Sequence, residues 1–160
     1  NAQTLRLIID HYPLKSIMDI DGAFKKIKRR IGGESLTLDE IENKLRAFDD
    51  PRFHFAIVCA SESCPPLAQR AYTADGLSSV LEKQGRDFVN DSRRNVIDRA
   101  GNRVALSKIF DWNRKEGERE AGSIVKYVSR FAKDPATAAW LVRYAKEPEF
   151  LEYDWKLNQP

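Results

Sequence analysis

The sequence predicts an α+β fold, with several helices packed around a small, mainly antiparallel sheet, in a single domain over residues 1–160. Three observations lead there. Apolar residues recur at helical spacing in several separate stretches, the first of them Leu5, Ile8, Ile9 and Tyr12. Two β-favouring runs between Asn95 and Leu106 flank the turn Ala100-Gly101-Asn102. Near the end, Leu151, Tyr153, Trp155 and Leu157 alternate with Glu152, Asp154 and Lys156. Helical and period-two patterns together in one short chain give the mixed class.

The first helix is expected from about Ala2 to Tyr12, stopped by Pro13, and a second from about Gly22 to Arg30, ended by Gly32 and Gly33. Thr37 and Glu40 form a capping box, so a helix should run from Leu38 to about Ala47 with Leu38, Ile41 and Leu45 on its apolar side. Phe53 to Cys59 is a dense apolar run between Pro51 and Ser61, too short for an ordinary helix, and reads as a central buried strand. Pro65 and Pro66 can open a short helix over Leu67 to Tyr72, because a proline at the first helical position lacks only an N–H that would be free there. Ser79 and Glu82 suggest a second capping box for a helix to about Val89, with Val80, Leu81, Gln84 and Phe88 inward. Residues 95–106 should form a hairpin. A helix carrying Ile124, Val125, Val128 and Phe131 precedes a last one, capped by Asp134 with Pro135 at its first position, that runs through Trp140, Leu141 and Tyr144. The closing alternation reads as a half-buried strand.

A chain of 160 residues can bury roughly 70% of its unfolded surface and so support one real core. With 42% hydrophobic and 32% charged residues it has globular rather than disordered composition, and neither repeats nor a linker divide it. A net charge of +3 is too weak for a polyanion-binding face, and no nucleic-acid partner is expected. The basic cluster Lys25, Lys26, Lys28, Arg29 and Arg30 is interleaved with Phe24, Ile27 and Ile31, as on the solvated face of an amphipathic helix. No run approaches the ~20 apolar residues of a membrane span. The chain starts at Asn1, already in helical periodicity, so the natural N-terminal part is expected to be missing.

Chemistry concentrates in one stretch, from Phe53 to Pro66, which holds His54 and both cysteines, Cys59 and Cys64. With Pro65 as first helical residue, Cys64 would sit at a helix N-terminus, where free N–H groups and the dipole favour a thiolate. His54 is the candidate base, able to reach Cys64 only if the chain folds back. Glu42 is the candidate group to orient that base, with Asn43 as second choice. Such a Cys, His and carboxylate or carboxamide set suggests, by analogy, papain-like or transglutaminase-like acyl transfer, although His precedes Cys here. The competing readings of Cys64 are a small buried thiol or a disulfide with Cys59, which would quench the chemistry. Cys59 itself closes an apolar run and reads as core. A metal held by His54, Cys59 and Cys64 ranks low for want of closely spaced ligand pairs, so neither metal nor cofactor is expected. His11 fits a helix C-terminal histidine. Trp112, Trp140 and Trp155 read as core anchors, and Trp155 could also wall the cleft.

Six blocks carry a resemblance: Asp10-His11-Tyr12-Pro13 with Lys15-Ser16-Ile17; Leu38 to Glu42; Asp50 to Ala56; Ser63 to Pro66; Leu106 to Phe110; and Tyr153 to Asn158. In this order they closely resemble domain-of-unknown-function family 547, from Asn1 to Asn158. The resemblance implies a domain found in bacterial proteins, many of them exported to the periplasm or secreted, and in plant proteins with an added coiled coil. It supplies no activity. The positions it marks fall on Glu42, Arg46, His54, Ser63 and Cys64, and Asn1-Ala2 resembles the tail of the family's opening block. Two departures stand out. Asn43 occupies the place of an expected histidine after Glu42, and Asn113 follows Trp112 where an aromatic residue and then Asp-Phe are expected, with Glu116-Gly117 near the acidic position. The expectation is therefore a cysteine-dependent hydrolase or acyl transferase on a peptide or small-molecule amide or thioester, altered or silent in this member. The alternative is a non-catalytic module that binds a peptide or small ligand in the same cleft.

Overall fold

A computed structural model describes residues 1–144 and 146–158. Among these residues the α+β class holds: seven α-helices accompany one two-stranded and one three-stranded sheet. The chain forms two compact units, one of Asn1–Ala68 together with the stretch from Asp154 onward, the other of Gln69–Tyr153. The first is discontinuous in sequence, which explains why no linker composition marks a boundary.

In the first unit, α1 spans Ala2–His11, and His11 Nδ1 lies 2.9 Å from the Leu7 carbonyl, the helix-end role its position suggests. The helix buries Leu7 against Ile17, Ile20 and Ala23, with Ile8, Leu14, Phe24, Ile27, Leu38 and Trp155 packed around them. Helix α2, Leu38–Arg46, carries the expected capping box: Thr37 Oγ1 accepts the Glu40 N–H and Glu40 accepts the Thr37 N–H at 2.7 Å. That second bond, from the Thr37 backbone, is the main reason the Glu40 carboxyl titrates below its usual range. The helix expected over residues 22–30 is instead a run of turns hinged on the Gly22 carbonyl, followed by the hairpin of β1, Arg29–Ile31, with β2, Glu34–Leu36. Gly32 and Gly33 both have positive φ, as a two-residue hairpin turn requires, and closing it draws Arg29–Ile31 out of any helix.

Two further expectations fail around the cysteines. Phe53–Cys59 is not a strand, because Pro51–Phe55 is a 3-10 helix. Asp50 caps it by accepting the Arg52 N–H, Pro51 fills its first position, and an apolar run buried on every side cannot by itself distinguish strand from helix. No helix follows Cys64 before Leu77. Proline biases the preceding residue away from the α region, so Pro66 works against a helix that starts at Pro65. Cys64 therefore has no helix N-terminus to lean on.

The C-terminal alternation survives as burial but not as a long strand. Tyr153, Trp155 and Leu157 are sheltered while Glu152, Asp154 and Lys156 are exposed. Within the first unit the stretch pairs antiparallel with the segment before Cys64: Asn158 N–H donates to the Ala60 carbonyl (3.0 Å), Glu62 N–H to Lys156 (2.9 Å) and Ser63 N–H to Asp154 (3.3 Å).

The second unit contains α3, Leu77–Val89, followed by the predicted hairpin of β3, Val96–Asp98, with β4, Arg103–Leu106. Helix α3 starts on Gly76, in the left-handed region, rather than on Ser79, and Glu82 pairs with Arg86 instead of closing a box. It buries Leu81, Gly85, Phe88 and Val89 and leaves Val80 exposed. The short helices α4, Lys108–Trp112, and α5, Arg114–Ala121, have no counterpart in the sequence reading. Helix α6, Ile124–Ser129, and α7, Pro135–Arg143, form where expected but stop short of Phe131 and Tyr144, the latter helix capped by Asp134 through the Ala136 and Thr137 N–H groups. The last strand, β5, Glu149–Phe150, adds to β4 in parallel. Trp112 is about half exposed, its ring tilted against that of Tyr153 with centroids 4.8 Å apart, so it is not the core anchor its setting implied.

Candidate functional site

All the predicted site residues lie in the first unit. Asp49, at φ 55, turns the chain sharply after α2, and Asp50 then launches the 3-10 helix while forming a paired salt bridge with Arg52 (2.7 and 2.9 Å). This presents His54 with only 5% exposure and its ring 3.9 Å from that of Phe53. The Arg46 guanidinium lies 5.9 Å from the Phe53 ring centroid, a cation–π distance, and donates to Glu42 Oε1 at 2.6 Å. Glu42, Arg46, Phe53 and His54 thus form one train of contacts. Glu42 and Arg46 meet as the i, i+4 neighbours of α2. Asn43, on the same helix, is exposed.

Beyond His54 the chain is held from two sides. The Asn1 carboxamide donates to the Ala56 carbonyl at 2.7 Å and accepts the Val58 N–H at 3.0 Å, standing in for a neighbouring strand. Ser63 Oγ accepts the Asp154 N–H at 2.9 Å, so the C-terminal stretch grips the other side. Two residues on, Trp155 packs edge-on to Phe24, 6.2 Å away, and so serves the core.

Between these supports Ala60 adopts φ 61, a left-handed conformation that a residue with a Cβ occupies at a cost of about 1–2 kcal/mol. The turn that results brings the Cys59 N–H to 2.9 Å from Cys64 Sγ, while the Cys64 N–H donates to the Ser61 carbonyl at 3.0 Å. From Cys64 Sγ the Ile57 carbonyl is 3.9 Å away. A thiol can use both contacts, as acceptor and as donor, whereas a thiolate can use only the first. The shorter contact is the one that favours the thiolate, since a hydrogen bond to the charged form stabilises that form. Cys59 Sγ is 3.1 Å from Ser61 Oγ, and the two cysteines are not joined in a disulfide. Cys64 is 3% exposed and Cys59 half-buried.

Sequence reasoning placed Cys64 at a helix start, whereas its sulfur faces a backbone amide five residues earlier. It also missed Asn1 as a brace. The signal available was an asparagine, whose side chain can donate and accept at once, in a block that the family resemblance already marked. Among the described residues no three His, Cys, Asp or Glu side chains gather where they could share a metal ion, and no helix is long and apolar enough to cross a membrane.

No curated protein and no solved structure matches the chain. A family model does, over residues 1–89, a stretch that contains every predicted site residue except Trp155. The later blocks, Leu106 to Phe110 and Tyr153 to Asn158, lie beyond it. More than half of the chain is covered, and the chain belongs to the family described as protein of unknown function, DUF547.

Proposed function

We propose that this DUF547 domain is a cysteine-dependent hydrolase or acyl transferase acting on an amide or thioester, with Cys64 as nucleophile and His54 as base. The observation that carries the reading is the Cys59 N–H aimed at Cys64 Sγ from 2.9 Å across a left-handed Ala60. Backbone strain persists where the surroundings over-determine it, and such residues cluster at functional sites. In the reaction the Cys64 thiolate adds to the substrate carbonyl carbon, the C–N or C–S bond breaks, and the leaving group takes the proton held by His54. Water or an acceptor then displaces the sulfur and returns the proton. In this reading Glu42, ion-paired with Arg46, is the orienting group for His54, while Ser63 and the Asp154 stretch fix the turn.

Alkylation tests this directly. Under reducing conditions, native Cys64 should react with iodoacetamide roughly tenfold or more faster than an ordinary thiol at pH 7, and His54→Ala should remove the excess. A Cys64 that reacts only after denaturation would overturn the reading. That burial of Cys64 is nearly complete favours a second reading, a non-catalytic module binding a peptide or small ligand beside the same turn. It predicts that Cys64→Ala leaves biological effect intact, where the first predicts loss.

A further inference from the structure

We propose that Cys59 and Cys64 are a peroxide-sensitive pair that closes to a reversible disulfide and silences the Cys64 site; only the silencing rests on the function proposed above. With the Cys59 nitrogen 2.9 Å from Cys64 Sγ, and an N–Cα bond of about 1.46 Å, the Cys64 sulfur lies within about 4.4 Å of Cys59 Cα. The two sulfurs of a disulfide are about 2.05 Å apart, so a Cys64 sulfur this near Cys59 Cα lies within reach of a rotated Cys59 side chain. One sulfur already rests against its partner's backbone, so closure asks chiefly for rotation of the Cys59 side chain away from Ser61.

The two thiols divide the work. Cys59 is the more accessible, and the Ser61 hydroxyl 3.1 Å from its sulfur can donate to a thiolate there. Its thiolate attacks one oxygen of hydrogen peroxide, the O–O bond breaks, and the departing hydroxide is protonated to water, leaving Cys59 as sulfenic acid. The buried Cys64 thiolate then attacks the Cys59 sulfur, the S–O bond breaks, the S–S bond forms, and a second hydroxide is protonated to water. Two thiols lose two electrons and two protons, and the peroxide gains them. The Cys64 sulfur, now bonded, can no longer act as a nucleophile, and a dithiol reductant restores it.

The test uses the full chain, reduced, desalted and treated with one equivalent of hydrogen peroxide. Trypsin leaves both cysteines on one peptide, Phe53 to Arg70, and cleavage after Glu62 separates them. The expected result is a monomer lighter by about 2 Da, whose two halves stay joined after cleavage at Glu62 until dithiothreitol is added, and whose Cys64 resists iodoacetamide until that reduction. Cys59→Ser should abolish the mass loss and the reductant-reversible protection. Oxygen adducts without hydrogen loss, or dimers between chains, would overturn the inference. The two proposals separate cleanly: a disulfide in a protein whose reduced Cys64 never alkylates removes the nucleophile and leaves the switch, and a reactive Cys64 that forms no disulfide does the reverse.

Discussion

Replacing Asn1 with alanine should weaken the fold at the segment that leads to Cys64. The side chain makes two bonds, one to the carbonyl of Ala56 and one from the N–H of Val58, residues that are 7% and 8% exposed. Loss of the acceptor leaves the Val58 N–H with a desolvation penalty of about 1–3 kcal/mol, and loss of the bond to Ala56 removes a further 0.5–1.5, roughly. Asn1 itself is exposed, so water relieves part of this, and a total of about 2–3 kcal/mol is expected. In a chain this long that corresponds to a fall in Tm of about 4–10 °C. Thermal and urea unfolding followed by circular dichroism would measure it, and amide hydrogen exchange would localise it at Val58. Asn1→Asp sharpens the test: it keeps an acceptor for Val58 but turns an oxygen, not an N–H, towards the Ala56 carbonyl, and should do no better than alanine. Should both variants unfold within about 0.5 kcal/mol of the parent, with Val58 exchange unchanged, the bracing role assigned to Asn1 is wrong.

Asn95 plays a comparable part in the second unit, donating to Phe88 at 2.8 Å and accepting the Ser107 N–H at 2.9 Å while 4% exposed, so Asn95→Ala should lose about 2–4 kcal/mol in urea unfolding. Asp91 titrates at about 2, below its ordinary 3.8, chiefly because the Arg93 side chain hydrogen-bonds it. Its stabilisation is thus full above the unfolded value and lost as pH falls towards 2, and Asp91→Asn should flatten the stability slope across that window. A Cβ on Gly117 would meet Ile124 Cδ1 at 2.6 Å and the Tyr127 ring at 3.2 Å. Gly117→Ala should therefore destabilise by about 1 kcal/mol despite better helix propensity, and Ile124→Val should recover part of that loss in a double-mutant cycle.

The elements that sequence alone made legible are those whose determinants sit within a few residues of each other. The Thr37–Glu40 box, the Asp134-Pro135 start of α7 and the turn at Gly101 each satisfy nearby backbone groups, and each forms where expected. The failures share the opposite property. Whether Phe53 to Cys59 became strand or helix depended on what lay on either side of it, and the apolar run reports burial alone. Its flanks are held by Asn1, more than fifty residues away, and by Asp154 to Asn158, about ninety away. The Pro65-Pro66 error was of another kind, since the restriction that Pro66 imposes on Pro65 was readable in the sequence. Of the candidate site, the cluster of His54, Cys59 and Cys64 was visible as composition, and Arg46 and Ser63 through the family blocks. The contact between the Cys59 amide and Cys64 was not, because it requires the left-handed turn at Ala60.

That turn bears on what the segment is for. An alanine at φ 61 gives up about 1–2 kcal/mol that a glycine would not. It persists because the chain is fixed on both sides: Asn1 holds residues 56 and 58, and the Asp154–Asn158 stretch holds residues 60, 62 and 63. The conformation so maintained is the one that turns the Cys59 N–H onto a cysteine sulfur and lets the Cys64 N–H close on Ser61. Ala60→Gly separates the two functions of the turn. Glycine keeps the left-handed geometry without its strain but adds freedom in the unfolded chain, so stability should change by less than about 1 kcal/mol. If the strain only tolerates a packing accident, Cys64 reactivity will follow stability and barely move. If it serves to hold the sulfur against the amide, the loosened turn will slow alkylation of Cys64 in a protein that is still fully folded.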